Sequence, residues 1–279
     1  MNAIAASAGR RLGRGAEQLW LPVLLAVAWW FLSADSTSLY FPPLSRIWAA
    51  LVAGFTSGTM LADLIYSLTN IVVGLVIGSL VAIVVGLVIG QIERLRQVLD
   101  PLLQFARSVP QSALIPIVIG ALGIGQAPKI YMIAFACSWP VLLNTIDGVR
   151  SISPEVWSMA RAYRIPKMLR LRKVVLPAAL PQIVAGVRVS LAVGVVVMVV
   201  SEIFSSLQGL GHSIHLAGSV FDVPAAWAGT LLVGVLGYVL SIIFILFEKV
   251  ILRWYFESAA ALSGSGGAKT GRSARKARS

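Results

Sequence analysis

An all-α membrane protein with six transmembrane helices is the fold class this sequence predicts, and three observations predict it. Of 279 residues, 58% are hydrophobic and 12% charged, about half the charged share of an ordinary soluble domain, as expected where lipid is the solvent. Apolar runs of spanning or near-spanning length recur along the chain. Basic residues crowd every second connection between those runs, the pattern that fixes membrane orientation.

The first run is Leu19 to Ala34, preceded by Arg10, Arg11 and Arg14. It is short, but Trp20, Trp29 and Trp30 suit a membrane interface, and no clean small-x-small cleavage site follows. It reads as a retained helix (19–35) behind a cytoplasmic arm (1–18). The second run is about Leu68 to Gly90 and contains Gly74-x-x-x-Gly78 and Gly86-x-x-x-Gly90. Small residues at that spacing let helix backbones approach closely, without specifying the partner.

The third run, Val109 to Leu122, is interrupted by Pro110 and Pro116. Lipid cannot replace the hydrogen bonds that proline removes, so this helix is expected to be broken and to face protein or a water-filled pathway. The fourth run is about Ile130 to Ile146 with Pro140 inside, the fifth Ile183 to Phe204, and the sixth Trp227 to Leu252. The tail, 258–279, is Ser, Gly, Ala, Lys and Arg rich, a composition that predicts disorder. Its Gly-Ala-Lys-Thr lacks the Gly-Lys pair of a phosphate loop.

Six spans put both termini on one side. With the N-terminus in the cytoplasm, Arg94, Arg96, Arg107, Arg150, Arg161, Arg164, Lys167, Arg170, Arg172 and Lys173 are all cytoplasmic, against Arg46 and Lys129 outside. The net charge of +12 is therefore a topological signal, with no nucleic acid expected as a partner. The expected location is the cell inner (plasma) membrane, crossed several times. The single cysteine, Cys137, permits no disulfide within the chain. His212-x-x-His215 with Asp222 falls short of a metal site, so no metal is expected. Two histidines, one cysteine and few acids are also a poor inventory for a membrane-embedded enzyme.

The informative segment is cytoplasmic, residues 151–182. Ser153-Pro154-Glu155 is a helix start: cap, first-turn proline, and an acid near the positive end. Val156, Met159, Ala160 and Tyr163 then share one helical face, with Arg161 and Arg164 elsewhere. Pro166 ends this helix and opens a second, up to Leu176-Pro177. Such an element either lies on the membrane with its arginines near anionic lipid or docks another protein.

That stretch resembles the EAA loop of bacterial binding-protein-dependent ABC permeases: Glu-Ala-Ala, three residues, Gly, nine residues, Ile-x-Leu-Pro. Aligned on Leu176-Pro177, Val174 takes the Ile position, Arg164 the Gly, and Ser158, Met159 and Ala160 the Glu-Ala-Ala. The spacing and Leu-Pro end match; the Glu and Gly do not, and Glu155 comes three residues early. Ser67-Leu68-Thr69-Asn70, Leu99-Asp100-Pro101-Leu102, Arg107-Ser108-Val109-Pro110, Leu114-Ile115-Pro116, Asn144-Thr145, Gly186-Val187-Arg188, Glu202, Gly209-Leu210-Gly211 and Arg253-Trp254 continue the resemblance in order over about 61–254. It is nearest to permeases of the nitrate, sulfonate and taurine class.

The resemblance implies the type I importer permease fold, with five helices of a permease core in 61–254. It also implies a chain without its own catalytic residues or cofactor: ATP-Mg binds separate cytoplasmic ATPase subunits, and a periplasmic or lipid-anchored binding protein delivers solute. A second permease copy, forming a homodimer, completes the pathway, with membrane lipid around it. Glu155, Ser158, Met159, Ala160, Arg161, Tyr163, Arg164, Leu176 and Pro177 would form the ATPase-coupling loop, and Ala160→Asp is expected to uncouple it. Asn70, Pro116, Asn144, Arg188 and Glu202 are pathway candidates. For Arg188 lipid-headgroup contact is the favoured alternative; for Glu202 a structural hydrogen-bond role competes equally; for the two asparagines bonding between helices is favoured. The rival reading is an ion-coupled secondary transporter, which predicts paired intramembrane charges and inverted repeats.

Overall fold

The computed structural model describes residues 20–255 apart from 22, 39 and 206. The N-terminal arm and the basic tail lie outside the described residues. A short apolar helix, α1 (Val23–Ser33), is followed by α2 (Leu44–Thr56), α3 (Thr59–Gln91), α4 (Glu93–Ser108), α5 (Ile115–Leu122), α6 (Gln126–Arg150), α7 (Pro154–Ala162), α8 (Lys167–Arg170), α9 (Leu176–Ser205), α10 (Leu210–Ser219) and α11 (Val223–Ile251). Four helical stretches are long and apolar enough to cross a membrane: α3, α6, α8 through α9, and α11. A fifth span results if α4 and the segment containing α5, bent by 78°, count as one.

The centre of the bundle is α6, packed between α3 and α9. Of its most apolar window 61% is buried, against 17% for α11, so α11 shows most of its apolar surface outward. The glycines of α3 meet α6: a β-carbon on Gly74 would lie 2.6 Å from the Ile133 side chain, one on Gly86 2.7 Å from Thr145, and one on Gly90 2.8 Å from Val149. At Gly78 the obstacle is the backbone of Ala134. The two Gly-x-x-x-Gly motifs thus have a partner within the chain. On the other side of α6, Gly148 and Gly186 admit Gln182 and Asn144 in the same way.

Several boundaries differ from the sequence expectation. The second run begins at Thr59, after Gly58 turns the chain at φ +80°. Asp63 does not end the helix, because its carboxylate finds donors in another helix. The third run is a bent element whose α5 has eight residues, preceded by an amphipathic α4 that holds Pro101. Here Pro110, at the start of the 3-10 turn Gln111–Leu114, prevents a straight continuation, because its ring clashes with the preceding helical turn. His212 and His215 lie on α10.

Tight aromatic contacts fix the end of α1. Trp29 stacks on Phe41 at 5.6 Å and meets the edge of Trp227 at 5.1 Å, and Trp227 donates to the Tyr40 carbonyl at 3.2 Å. These amphipathic rings suit a membrane interface.

Candidate functional sites: an exposed helix–turn segment and a buried polar network

The segment 151–182 folds as its punctuation requires. Ser153 stands in extended conformation before α7, and Pro154 opens the helix. Glu155 lies in the first turn, its carboxyl held below the usual range by a backbone N–H and then by the Ser153 hydroxyl. At the far end Tyr163 N–H donates to Met159 O, Arg164 N–H to Arg161 O at 2.9 Å, and Ile165 N–H to Ala160 O at 3.0 Å. The last two bonds make a Schellman turn, which needs a left-handed residue at the position of Arg164. Arg164 has φ +49°. The chain therefore keeps, with an arginine, the backbone that a glycine would adopt without strain.

On α7, Val156, Met159 and Tyr163 are exposed, Met159 by 59% and Tyr163 by 78%. Ala160, expected to share their contact surface, is 4% exposed and turns toward the protein. Trp157 is half-buried, packed on the cluster of Val149, Ile152, Val175, Ala179 and Ile183, and stacks under the Arg170 guanidinium at 5.4 Å. Ser158 is exposed, and Arg161 lies on another side of α7, its Nη2 3.4 Å from Ser158 Oγ. Leu176 and Pro177, both half-buried, open α9. Immediately before them, Leu171–Val175 is a π-helical turn in which Leu176 N–H reaches Leu171 O. Widening the turn is one way to accommodate Pro177, whose ring would clash with the Lys173 carbonyl in a regular α-helix.

The pathway candidates separate. Asn70 and Glu202 come together, both fully buried. Glu202 accepts from Ser67 Oγ at 2.8 Å, Asn70 Nδ2 at 3.2 Å and Gly211 N–H at 3.0 Å. Ser67 Oγ accepts from Leu210 N–H at 2.9 Å, Asp63 from Gly209 N–H at 2.7 Å and from the Ser213 hydroxyl. Asn70 Oδ1 accepts from Gln126 at 3.1 Å. Three acceptor side chains from α3 and α9 thereby satisfy the first amides of α10, which have no partner within their own helix. Lys129 is 2% exposed, its Nζ 2.9 Å from Tyr66 Oη and 5.1 Å over that ring.

Asn144 donates to Pro140 O, one turn back in its own helix, at 2.8 Å. Arg188 is half-exposed, 3.7 Å from Glu248 of α11, an ion-pair partner not anticipated for it. Pro116 is exposed at the start of α5. Sequence reasoning missed Asp63 and Gln126 and gave Lys129 only a topological place; Ser67, Asn70, Glu202 and the Gly209-Leu210-Gly211 motif had marked the region. Among the described residues no three His, Cys, Asp or Glu side chains could hold a metal together.

A helical bundle of spanning length, with a broken segment and an exposed helix–turn element between two spans, defines a polytopic membrane protein. Its fold matches that of a methionine ABC transporter in inward-facing form, with TM-score 0.61 and 16% identity over 70% of this chain and 97% of that one. Residues 74–256 match the family model of the binding-protein-dependent transport system inner membrane component, and the chain belongs to that family. It is 30% identical to the taurine transport system permease protein of Escherichia coli (strain K12), over 85% of this chain and 88% of the relative. It is 34% identical to the riboflavin transport system permease protein of Chloroflexus aurantiacus, over 85% and 90%. The protein is a multi-pass inner-membrane permease subunit of an ABC importer.

Proposed function

We propose that this permease forms half of a pathway for a small sulfonate, taurine-like, with nitrate and related anions as the neighbouring possibilities. Two copies assemble as a homodimer surrounded by lipid. In each, α1 completes six spans with both termini cytoplasmic, the core occupies 61–254, and the arm (1–18) and tail (258–279) lie at the cytoplasmic face. ATP-Mg is bound by separate ATPase subunits, and a periplasmic or lipid-anchored binding protein delivers the solute.

One observation carries the coupling role: Val156 and Met159 on α7 and Tyr163 just after it form an apolar face that the other described residues leave uncovered. An exposed apolar face seeks a partner, and its neighbours Ser158 and Arg164 supply polar contacts at the rim. Glu155 begins the helix, Ala160 braces it from within, and Leu176-Pro177 pass its movement to α9. Asn144, Pro116 and Arg188, incompletely buried, remain candidates for the pathway, whereas the burial of Asn70 and Glu202 suits a scaffold for α10.

The taurine permease supports the sulfonate reading, while a riboflavin relative of similar identity makes substrate choice the point to test. Proteoliposomes containing this chain, a cognate ATPase and a cognate binding protein are expected to take up taurine only with ATP and all three components. Riboflavin uptake instead would reassign the substrate. Uptake by the permease alone, driven by an ion gradient, would establish the secondary-transporter reading.

A further inference from the structure

A cleft of about 330 Å³ opens where the end of α3 meets α4, α6 and α7, lined among others by Gln91, Glu93, Arg96, Arg150, Trp157 and Arg161. Three guanidinium groups from three helices converge on it. The Arg96 side chain is 14% exposed, and its buried Nε has no hydrogen-bond partner. Their acidic neighbours are few and local. Glu93 holds Arg96 Nη2 at 2.5 Å; Asp100 stands 3.7 Å from Arg96 Nε; Asp147 stands 3.5 Å from Arg150. All three acids are at least half-exposed, three or four residues from their arginines, and such pairs are weak. Arg161 has just the Ser158 hydroxyl, at 3.4 Å.

The position of the cleft restricts what it can hold. Gln91 is the last residue of the apolar α3, so the cleft lies where that span ends, at the depth of phospholipid headgroups. Planar guanidinium groups with several donors match phosphate oxygens. Trp157 and Arg161 line it from α7, nearly opposite in helical register to the exposed Val156, Met159 and Tyr163, so an occupant leaves that face free.

We propose that this cleft binds a phosphate group, presented by an anionic phospholipid headgroup or by a soluble phosphate, and that the bound group ties α7 to α4 and α6. The proposal does not depend on which solute is transported.

The test uses the full chain purified in neutral detergent. Equilibrium dialysis with inorganic phosphate reads the soluble source, and native mass spectrometry with added phosphatidylglycerol reads the lipid source. Binding in either arm, weakened about tenfold by R150Q/R161Q through loss of two charge-assisted contacts and unchanged by R172Q/K173Q outside the cleft, is the expected result. Saturable phosphate binding would assign a soluble ligand, and retention of the lipid alone a headgroup; both support the site. Should the double variant fail to fold, R161Q alone is expected to weaken binding several-fold, since among the described residues Arg161 has only the long contact to the Ser158 hydroxyl. No binding by the unmodified chain in either arm, or equal weakening by the two pairs of substitutions, would overturn the proposal.

Discussion

The Glu202 carboxylate fills the space that a side chain on Gly209 would need. A β-carbon there would lie 2.5 Å from the carboxylate, and Gly209 has φ +111°. Glu202 also accepts from Gly211 N–H two residues on, so one buried acid both requires the glycine turn and caps the helix that follows. Gly209→Ala combines a steric clash with a strained backbone and is expected to destabilise the chain by about 2 kcal/mol or more. A lowered midpoint of thermal unfolding of the purified permease checks this.

Glu202→Gln would present an amide N–H₂ to groups that are already donors, Ser67 Oγ, Asn70 Nδ2 and Gly211 N–H. Losing one well-placed acceptor in a buried network costs about 1–3 kcal/mol. Faster hydrogen exchange at the amides of Leu210 and Gly211 than in the unmodified chain is the expected signature. Unaltered exchange there would remove Glu202 from the capping role.

Arg164→Gly is expected to stabilise the turn after α7 by about 1 kcal/mol, because the left-handed conformation at φ +49° strains a residue with a β-carbon. Arg164→Val should have the opposite sign, since a branched β-carbon is worst in that region. Hydrogen exchange of Ile165, whose N–H closes the turn on Ala160 O, separates the two variants.

Met159 and Ala160 are adjacent in sequence but differ in surroundings, 59% against 4% exposed. Met159→Asp should leave the unfolding midpoint of the isolated permease unchanged and abolish ATP-driven uptake in the assembled transporter. Ala160→Asp should instead lower the midpoint, because a charge is forced into the chain's own packing at a cost of several kcal/mol. Loss of uptake with an unchanged midpoint for Ala160→Asp would place Ala160 on the docking surface, as the sequence pattern had suggested.

Gly78 faces the backbone of Ala134 on α6, whereas Gly120 has open space around its position in the single chain. Gly78→Ala is expected to cost about 1–3 kcal/mol through overpacking against an atom that cannot rotate away; Gly120→Ala should be close to neutral for folding of the protomer. Thermal unfolding of both variants side by side is the measurement.

The sequence by itself determined the solvent, the place and order of the four long apolar helices, and the punctuation of the segment 151–182, because apolar run length and proline or capping residues act locally; its count of six spans exceeds the four helices, or five with the bent pair, that are long and apolar enough to cross. The resemblance to the permease loop placed Arg164 at a glycine position, and the structure gives it the left-handed backbone. Local patterns could not say that the glycines of α3 face α6, that Ala160 turns inward while Met159 turns out, or that Asp63 sits inside a helix satisfied by amides of α10. Those facts depend on residues far apart in the chain, 146 positions in the case of Asp63 and Gly209. Hydrophobic periodicity names an apolar stripe but not which part of it another helix covers, and a buried carboxylate is tolerable only where folding brings donors to it. Tertiary packing alone decided both.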